Sequence, residues 1–145
     1  PVQVIGYSQG GAVAARLAES GAWNVDGLLS FGGPTGQIPL PTDLPAVLVE
    51  HTDDVVPALG GTQDNLGAVV VERQAYGSGE IPDGPPAPAH QRDAYLRTAA
   101  LMDTAESDAV RGAAAGFDAF TADARPVSST TYEIDRVSAT SGSRP

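Results

Sequence analysis

A serine bracketed by glycines, two histidines and a pair of adjacent aspartates carry the chemistry this chain can offer. Ser8 lies in Gly6-Tyr7-Ser8-Gln9-Gly10, which fits the pattern Gly-x-Ser-x-Gly. A hydroxyl becomes a nucleophile when a base takes its proton, and the base needs a carboxylate to orient it. The histidines are His51 and His90, and the adjacent acids are Asp53 and Asp54. With the order serine, acid, histidine, only His90 follows the acids. Ser8 is therefore the expected nucleophile, His90 the base, and Asp53 or Asp54 the acid. Neighbours on an extended segment point in opposite directions, so both carboxylates cannot face one imidazole. The other is expected at a turn or cap. His51, Asp53 and Asp54 could be drawn as a metal site, but the set lacks a further well-placed ligand and a turn explains the aspartate pair.

An elbow of this kind needs a strand before it and a helix after it. Val2–Ile5 reads as a short strand buried on both faces, ended by Gly6, and Gln9–Ser20 reads as an Ala-rich helix stopped by Gly21. The sharp turn strains the Ser8 backbone and lifts its hydroxyl above the strand ends. Side chains two residues to either side would collide, which accounts for Gly6 and Gly10. The Gln9 N–H, at the helix start, is the expected oxyanion donor, and Tyr7 and Gln9 are expected to line the site.

The elements that must position His90 and the acids follow from the same pattern. Val25–Phe31, Ala46–His51 and Ala68–Gln74 read as strands, with Pro-rich or turn-rich loops at Pro34–Pro45, Thr52–Leu66 and Tyr76–Ala89. Short helical turns are expected in the links to the third and fourth strands. Helices are expected over His90–Asp103, with Tyr95, Ala99 and Met102 on one face, and over Ser107–Ala122, with Val110, Ala114 and Phe117 on one side. Thr130–Val137 reads as a weak strand and Ser138–Pro145 as a tail. Trp23 and Phe31 read as core, Glu72 and Arg73 as strand-end surface charges, and Glu80 and Asp83 as loop solvation. The class is α/β: a mostly parallel sheet of about four strands flanked by helices. Residues 1–125 form the domain and 126–145 a C-terminal strand and flexible tail.

Composition narrows the function. The chain has 145 residues and 41% apolar residues, enough for one packed domain. The net charge is −10; all eight basic residues are arginines, scattered and without interleaved aromatics, so phosphate neutralisation is a poor fit. Anionic membrane surfaces are disfavoured for the same reason, and no run is long enough for a transmembrane helix. The absence of Cys excludes disulfides, thiolate zinc sites and a Cys nucleophile. No basic region followed by a long apolar stretch marks a leader at the start. The chain opens without Met, inside a predicted strand, and reads as a piece of a longer protein.

These residues resemble the α/β-hydrolase superfamily, more narrowly its lipase, esterase and cutinase-like members. Gly6-Tyr7-Ser8-Gln9-Gly10-Gly11 is similar to the elbow of cutinases and related hydrolases, and Phe31-Gly32-Gly33-Pro34 to the small-residue turn after the next strand in lipases. His51-Thr52-Asp53-Asp54-Val55-Val56-Pro57 resembles the lipase segment in which the catalytic Asp directly precedes two apolar residues and Pro. That match selects Asp54; other hydrolases place one more residue before this Pro, which would select Asp53. Pro88-Ala89-His90 followed by Tyr95 resembles the base-bearing loop and its helix.

The likeness covers about residues 2–104. It departs from cutinases in lacking Cys, and from the family in lacking the first four strands and the loop that supplies a second oxyanion donor. It implies the C-terminal half of such a domain, with Val2–Ile5 left as an apolar sheet edge. It also implies a serine hydrolase of small-molecule or lipid esters, needing no cofactor or metal; the segment itself carries no localisation signal, and the resemblance leans toward a secreted or cell-envelope setting. The alternatives are an acyltransferase or thioesterase using the same triad, or a non-catalytic hydrolase-derived binding domain.

Overall fold

The computed structural model describes residues 1–77, 83–84, 86–125 and 128–131. The strand expected over Thr130–Val137, apart from its first two residues, and the tail Ser138–Pro145 lie outside them, as does Glu80.

Strand β1 (Val2–Tyr7) leads through Ser8 into helix α1 (Gln9–Glu19). Strands β2 (Val25–Phe31) and β3 (Ala46–His51), the one-turn helix α2 (Val55–Ala58) and strand β4 (Val69–Arg73) follow. A 3-10 turn (Pro88–His90) then delivers helix α3 (Arg92–Met102), and helix α4 (Asp108–Thr121) comes last. The strands form one parallel sheet in the order β1-β2-β3-β4, so sequence neighbours are spatial neighbours. Of the short helical turns expected in the links to the third and fourth strands, the second is present as α2, and the described link between β2 and β3 holds no helix.

Side chains alternate across a strand, and paired residues share a face. Ile5, Leu29, Val47 and Val69 are in register, as are Tyr7, Phe31, Val49 and Val71. These rows face α3 and α4, where Val47, Val49 and Tyr95 are buried with Leu29, Phe31, Met102 and Phe117 packed round them. His51 and Arg73 continue the alternation onto the same side. The opposite rows face α1. Leu28, Ala46 and Leu48 meet Ala14, Ala15 and Ala18 there, with Ile38 and Leu44 closing the layer. The helix can lie close because Gly11, Ala14, Ala15 and Ala18, spaced on one face, are all buried.

Two expectations fail on exposure. Trp23 is not core but 62% exposed, in the loop after α1. β1 takes the sheet edge, as expected, but it is not buried on both faces, and Ile5 is 68% exposed. Phe31 does pack against Tyr95, ring edge to face. Arg73 is more than a surface charge, since it donates to the Thr98 hydroxyl at 3.0 Å. Helix α4 is amphipathic but buries no residue completely, and Ala113 rather than Ala114 turns inward with Phe117.

Candidate active site

Ser8, His51, Asp53, Asp54 and His90 sit at the carboxyl ends of the parallel strands. Ser8 joins β1 to α1 with φ 57° and ψ −131°, a conformation that few residues with a Cβ adopt. Backbone bonds hold it: Ser8 N–H donates to the Phe31 carbonyl and Gly11 N–H to the Ser8 carbonyl, both at 2.9 Å. A Cβ on Gly6 would overlap the Gly10 carbonyl, so this glycine is required by the turn. Gly10 is not, because its Cβ would point into open space. The second crowded glycine is instead Gly11, whose Cβ would strike the Ser30 hydroxyl and Gly33. The steric demand comes from seating α1 on β2, not from the turn alone. Gln9 is the first residue of α1, and the first N–H groups of a helix have no intrahelical acceptor. That leaves the Gln9 N–H beside the Ser8 side chain.

Asp54 and Asp53 divide their work as adjacent extended residues must. Asp54 caps α2, its Oδ1 accepting from the Val56 N–H at 3.0 Å. Its Oδ2 accepts from the Tyr95 hydroxyl at 2.8 Å and from His90 Nδ1 at 2.7 Å. The carboxylate is fully buried and its negative charge is met by these donors. Asp53 turns outward and ties the acid loop to the end of β4, accepting from the Ala75 and Tyr76 N–H groups at 2.8 and 3.2 Å. The carboxylate that faces His90 is therefore that of Asp54.

His90 closes the 3-10 turn with its ring between the two other groups. Its Nε2 lies 2.7 Å from Ser8 Oγ. A carboxylate only accepts, so Nδ1 carries a proton; in the neutral ring Nε2 is then free to accept the Ser8 O–H. Tyr7 stacks on this ring, centroids 5.4 Å apart, and its hydroxyl donates to the His90 carbonyl. Burial, and secondly the Asp54 charge, push the Tyr7 hydroxyl above its ordinary pKa, so it remains a donor.

The chain matches no protein-family model, no curated protein and no solved structure.

The structure adds residues that the sequence pattern did not mark as part of the site. Tyr95 was legible as an apolar-face residue of α3 and as part of the resemblance around His90, with no role for its hydroxyl; that hydroxyl reaches Asp54, and burial together with that carboxylate holds it far above the ordinary tyrosine pKa. A buried tyrosine needs a partner for its O–H, which is the signal that could have found it. Gly32, with φ 61°, leaves the space the Tyr95 ring fills, since a Cβ there would strike the ring. His51, the rival histidine, is buried on the α3 face and bonded to Ala89 and Thr98 instead.

Beside Gln9, an open groove of about 470 Å³ is lined by Ala12, Val13, Ile38 and Leu59, with Arg16 and Gln37 also on its wall. Val13 and Leu59 stand exposed at its edge. A hollow of similar size, near Leu40 and Leu66, lies by the starts of β3 and β4, the opposite end of the sheet from Ser8. Among the described residues no helix is long and apolar enough to cross a membrane.

Proposed function

We propose that this chain carries the catalytic triad of an α/β-hydrolase-type serine esterase, with Ser8 as nucleophile, His90 as base and Asp54 as acid. The observation that carries the reading is the unbroken chain Ser8 Oγ–His90 Nε2–His90 Nδ1–Asp54 Oδ2, with both links at 2.7 Å and the serine held in a strained turn between strand and helix.

Ser8 Oγ attacks the ester carbonyl carbon while His90 Nε2 takes its proton. The carbonyl oxygen gathers negative charge, and the Gln9 N–H at the head of α1 donates to it. Asp54 holds the imidazole with Nδ1–H turned toward itself and stabilises the cation that forms. The tetrahedral intermediate expels the alcohol, which receives the proton from His90 Nε2. Water, deprotonated by the same nitrogen, then attacks the acyl-enzyme and releases the carboxylic acid and a free Ser8. No step calls for a metal or cofactor. The groove beside Gln9, with Val13, Ile38 and Leu59 among its polar residues Arg16 and Gln37, offers room for part of a small or lipid ester.

The test is fluorophosphonate labelling of the longest natural chain containing these residues, beside Ser8→Ala. Labelling and hydrolysis of p-nitrophenyl esters should both vanish in the variant, a loss of about 10⁶-fold in kcat. A folded natural chain that takes no label, or a Ser8→Ala variant that keeps turnover, rejects the reading in favour of a binding domain or another nucleophile.

A further inference from the structure

The turn that presents His90 is gripped from three strands. Its consecutive carbonyls, Pro88, Ala89 and His90, each meet a side chain from a different element. The Tyr76 hydroxyl, just beyond β4, donates to Pro88 at 3.4 Å. His51, the last residue of β3, bonds the Ala89 carbonyl through Nδ1 at 2.7 Å. The Tyr7 hydroxyl, at the end of β1, donates to the His90 carbonyl. The turn starts at Ala87, in the left-handed region with φ 51° and ψ 62°. A residue with a Cβ stays there only when its surroundings over-determine it. The three side-chain bonds supply such surroundings.

His51 is the buried member of this clasp, at 1% exposure. A carbonyl only accepts, so the His51 proton sits on Nδ1 and Nε2 is free to accept the Thr98 hydroxyl at 2.7 Å. That hydroxyl in turn accepts from Arg73 at 3.0 Å. The ring lies flat on Tyr95, centroids 3.9 Å apart, and Tyr95 is the residue that bonds Asp54. Packing alone would be met by an aliphatic side chain, as at Val47 and Val49 on the same face of β3. An imidazole with both nitrogens engaged is instead a device for fixing a carbonyl one residue before the base.

We propose that His51 is a positioning residue for His90: it fixes the 88–90 turn from inside, with Tyr7 and Tyr76 outside, and so sets the distance from His90 Nε2 to Ser8. This rests on the triad reading above.

The experiment compares His51→Leu with His51→Asn in the longest natural chain, using a p-nitrophenyl ester. Leu fills the space without a donor, while the Asn amide can place an N–H near the position of Nδ1. His51→Leu should lower kcat by about 10- to 100-fold. KM should stay within about twofold, because only alignment of the reacting groups is lost. His51→Asn should recover most of kcat. Wild-type kcat in a folded His51→Leu, or an Asn variant as impaired as the Leu variant, overturns the proposal.

If His51→Leu does not fold, Tyr7→Phe takes its place, removing one hydroxyl from a partly exposed ring. A several-fold fall in kcat at constant KM supports the clasp, and wild-type kcat overturns it. A second readout does not depend on turnover: the NMR resonance of the His90 Nδ1 proton shared with Asp54. It should be sharp in wild type and His51→Asn and broadened in His51→Leu. A wild-type chain with this resonance but no Ser8-dependent turnover rejects the esterase reading alone. An unchanged resonance in His51→Leu rejects the clasp.

Discussion

The two faces of the sheet are built on opposite principles. Under α1 the layer is apolar and small: alanines 14, 15 and 18 against Leu28, Ala46 and Leu48, closed by Ile38 and Leu44. Its buried hydroxyl, Ser30 Oγ, has no hydrogen-bond partner among the described residues. Under α3 the lower part is apolar too, but the upper part is a polar cluster of His51, Asp54, Tyr95 and Thr98. There Tyr95 bonds Asp54 and His51 bonds Thr98. The α1 face seats the helix whose start meets Ser8, using close approach and burial. The α3 face holds Asp54 and His90, using directional bonds. Loss of a methyl group should therefore be felt as stability on the first face, and loss of a hydrogen as alignment on the second.

The largest expected effect is on the second face. Asp54→Asn keeps the shape but offers an amide where His90 Nδ1 needs an acceptor, favouring the wrong tautomer. The expected fall in kcat is about 10⁴-fold, with little change in the melting temperature, checked by steady-state kinetics beside a thermal melt. A thermal collapse of equal severity would mean that Asp54 acts mainly as the α2 cap.

The first face answers with the opposite signature. Leu48 is 1% exposed at the centre of the α1 layer. Leu48→Ala should cost about 2–5 kcal/mol of stability through lost transfer energy and the cavity left behind. The kcat per folded molecule should stay near wild type. Urea unfolding and active-site titration separate the two quantities. A folded Leu48→Ala protein with kcat lost would show that the faces are mechanically coupled.

The same contrast governs what could be read before the structure. Apolar runs such as Val47-Leu48-Val49 and Val69-Val70-Val71 announce strands, and turn glycines and prolines bound them, so all four described strands and the three long helices were legible. The edge position of β1 was expected from the resemblance, but the exposure of the Ile5 and Trp23 side chains was not, because both have the composition of core residues. Ser8, the pair Asp53–Asp54 and His90 stand out because a hydroxyl, a carboxylate and an imidazole are chemically distinct residue types in the expected order; that order does not separate Asp53 from Asp54, and the resemblance selected Asp54. The residues that hold them do not. Tyr95 and His51 earn their place through an O–H and an N–H whose acceptors lie 41 and 38 positions away. The role of Gly11 was hidden for the same reason: the atoms it would strike belong to Ser30 and Gly33.

Tyr95→Phe sharpens the comparison, since it deletes one oxygen from the α3 face and no packing. Asp54 Oδ2 then loses one of its two donors while His90 remains. Hydrogen bonds to charged groups are worth about 1.5–3 kcal/mol, so kcat should fall by about tenfold or somewhat more. Stability should drop by less than in Leu48→Ala. Equal kcat in the two proteins would assign the orientation of Asp54 to the α2 cap and His90 alone.

The smallest effect is a pH dependence of stability. Burial, the largest influence, holds the His51 imidazole below its ordinary value of 6.5, and Arg73 pushes the same way against the Ala89 carbonyl and the nearby aspartates. In the folded protein the ring therefore resists protonation, while in the unfolded chain it titrates normally. Between its folded value and 6.5 the unfolded chain binds more protons, so stability falls as the pH drops through that window. Above 6.5 the contribution is complete and level. His51→Asn has no titrating ring and should show a flatter melting temperature against pH below about 6.5 than wild type. Thermal melts of both proteins at intervals from neutral to mildly acidic pH measure the difference. Parallel curves would mean that the ring takes up its proton in place, with Nε2–H turned to the Thr98 hydroxyl, and that this corner of the α3 face tolerates a charge the α1 face has no means to hold.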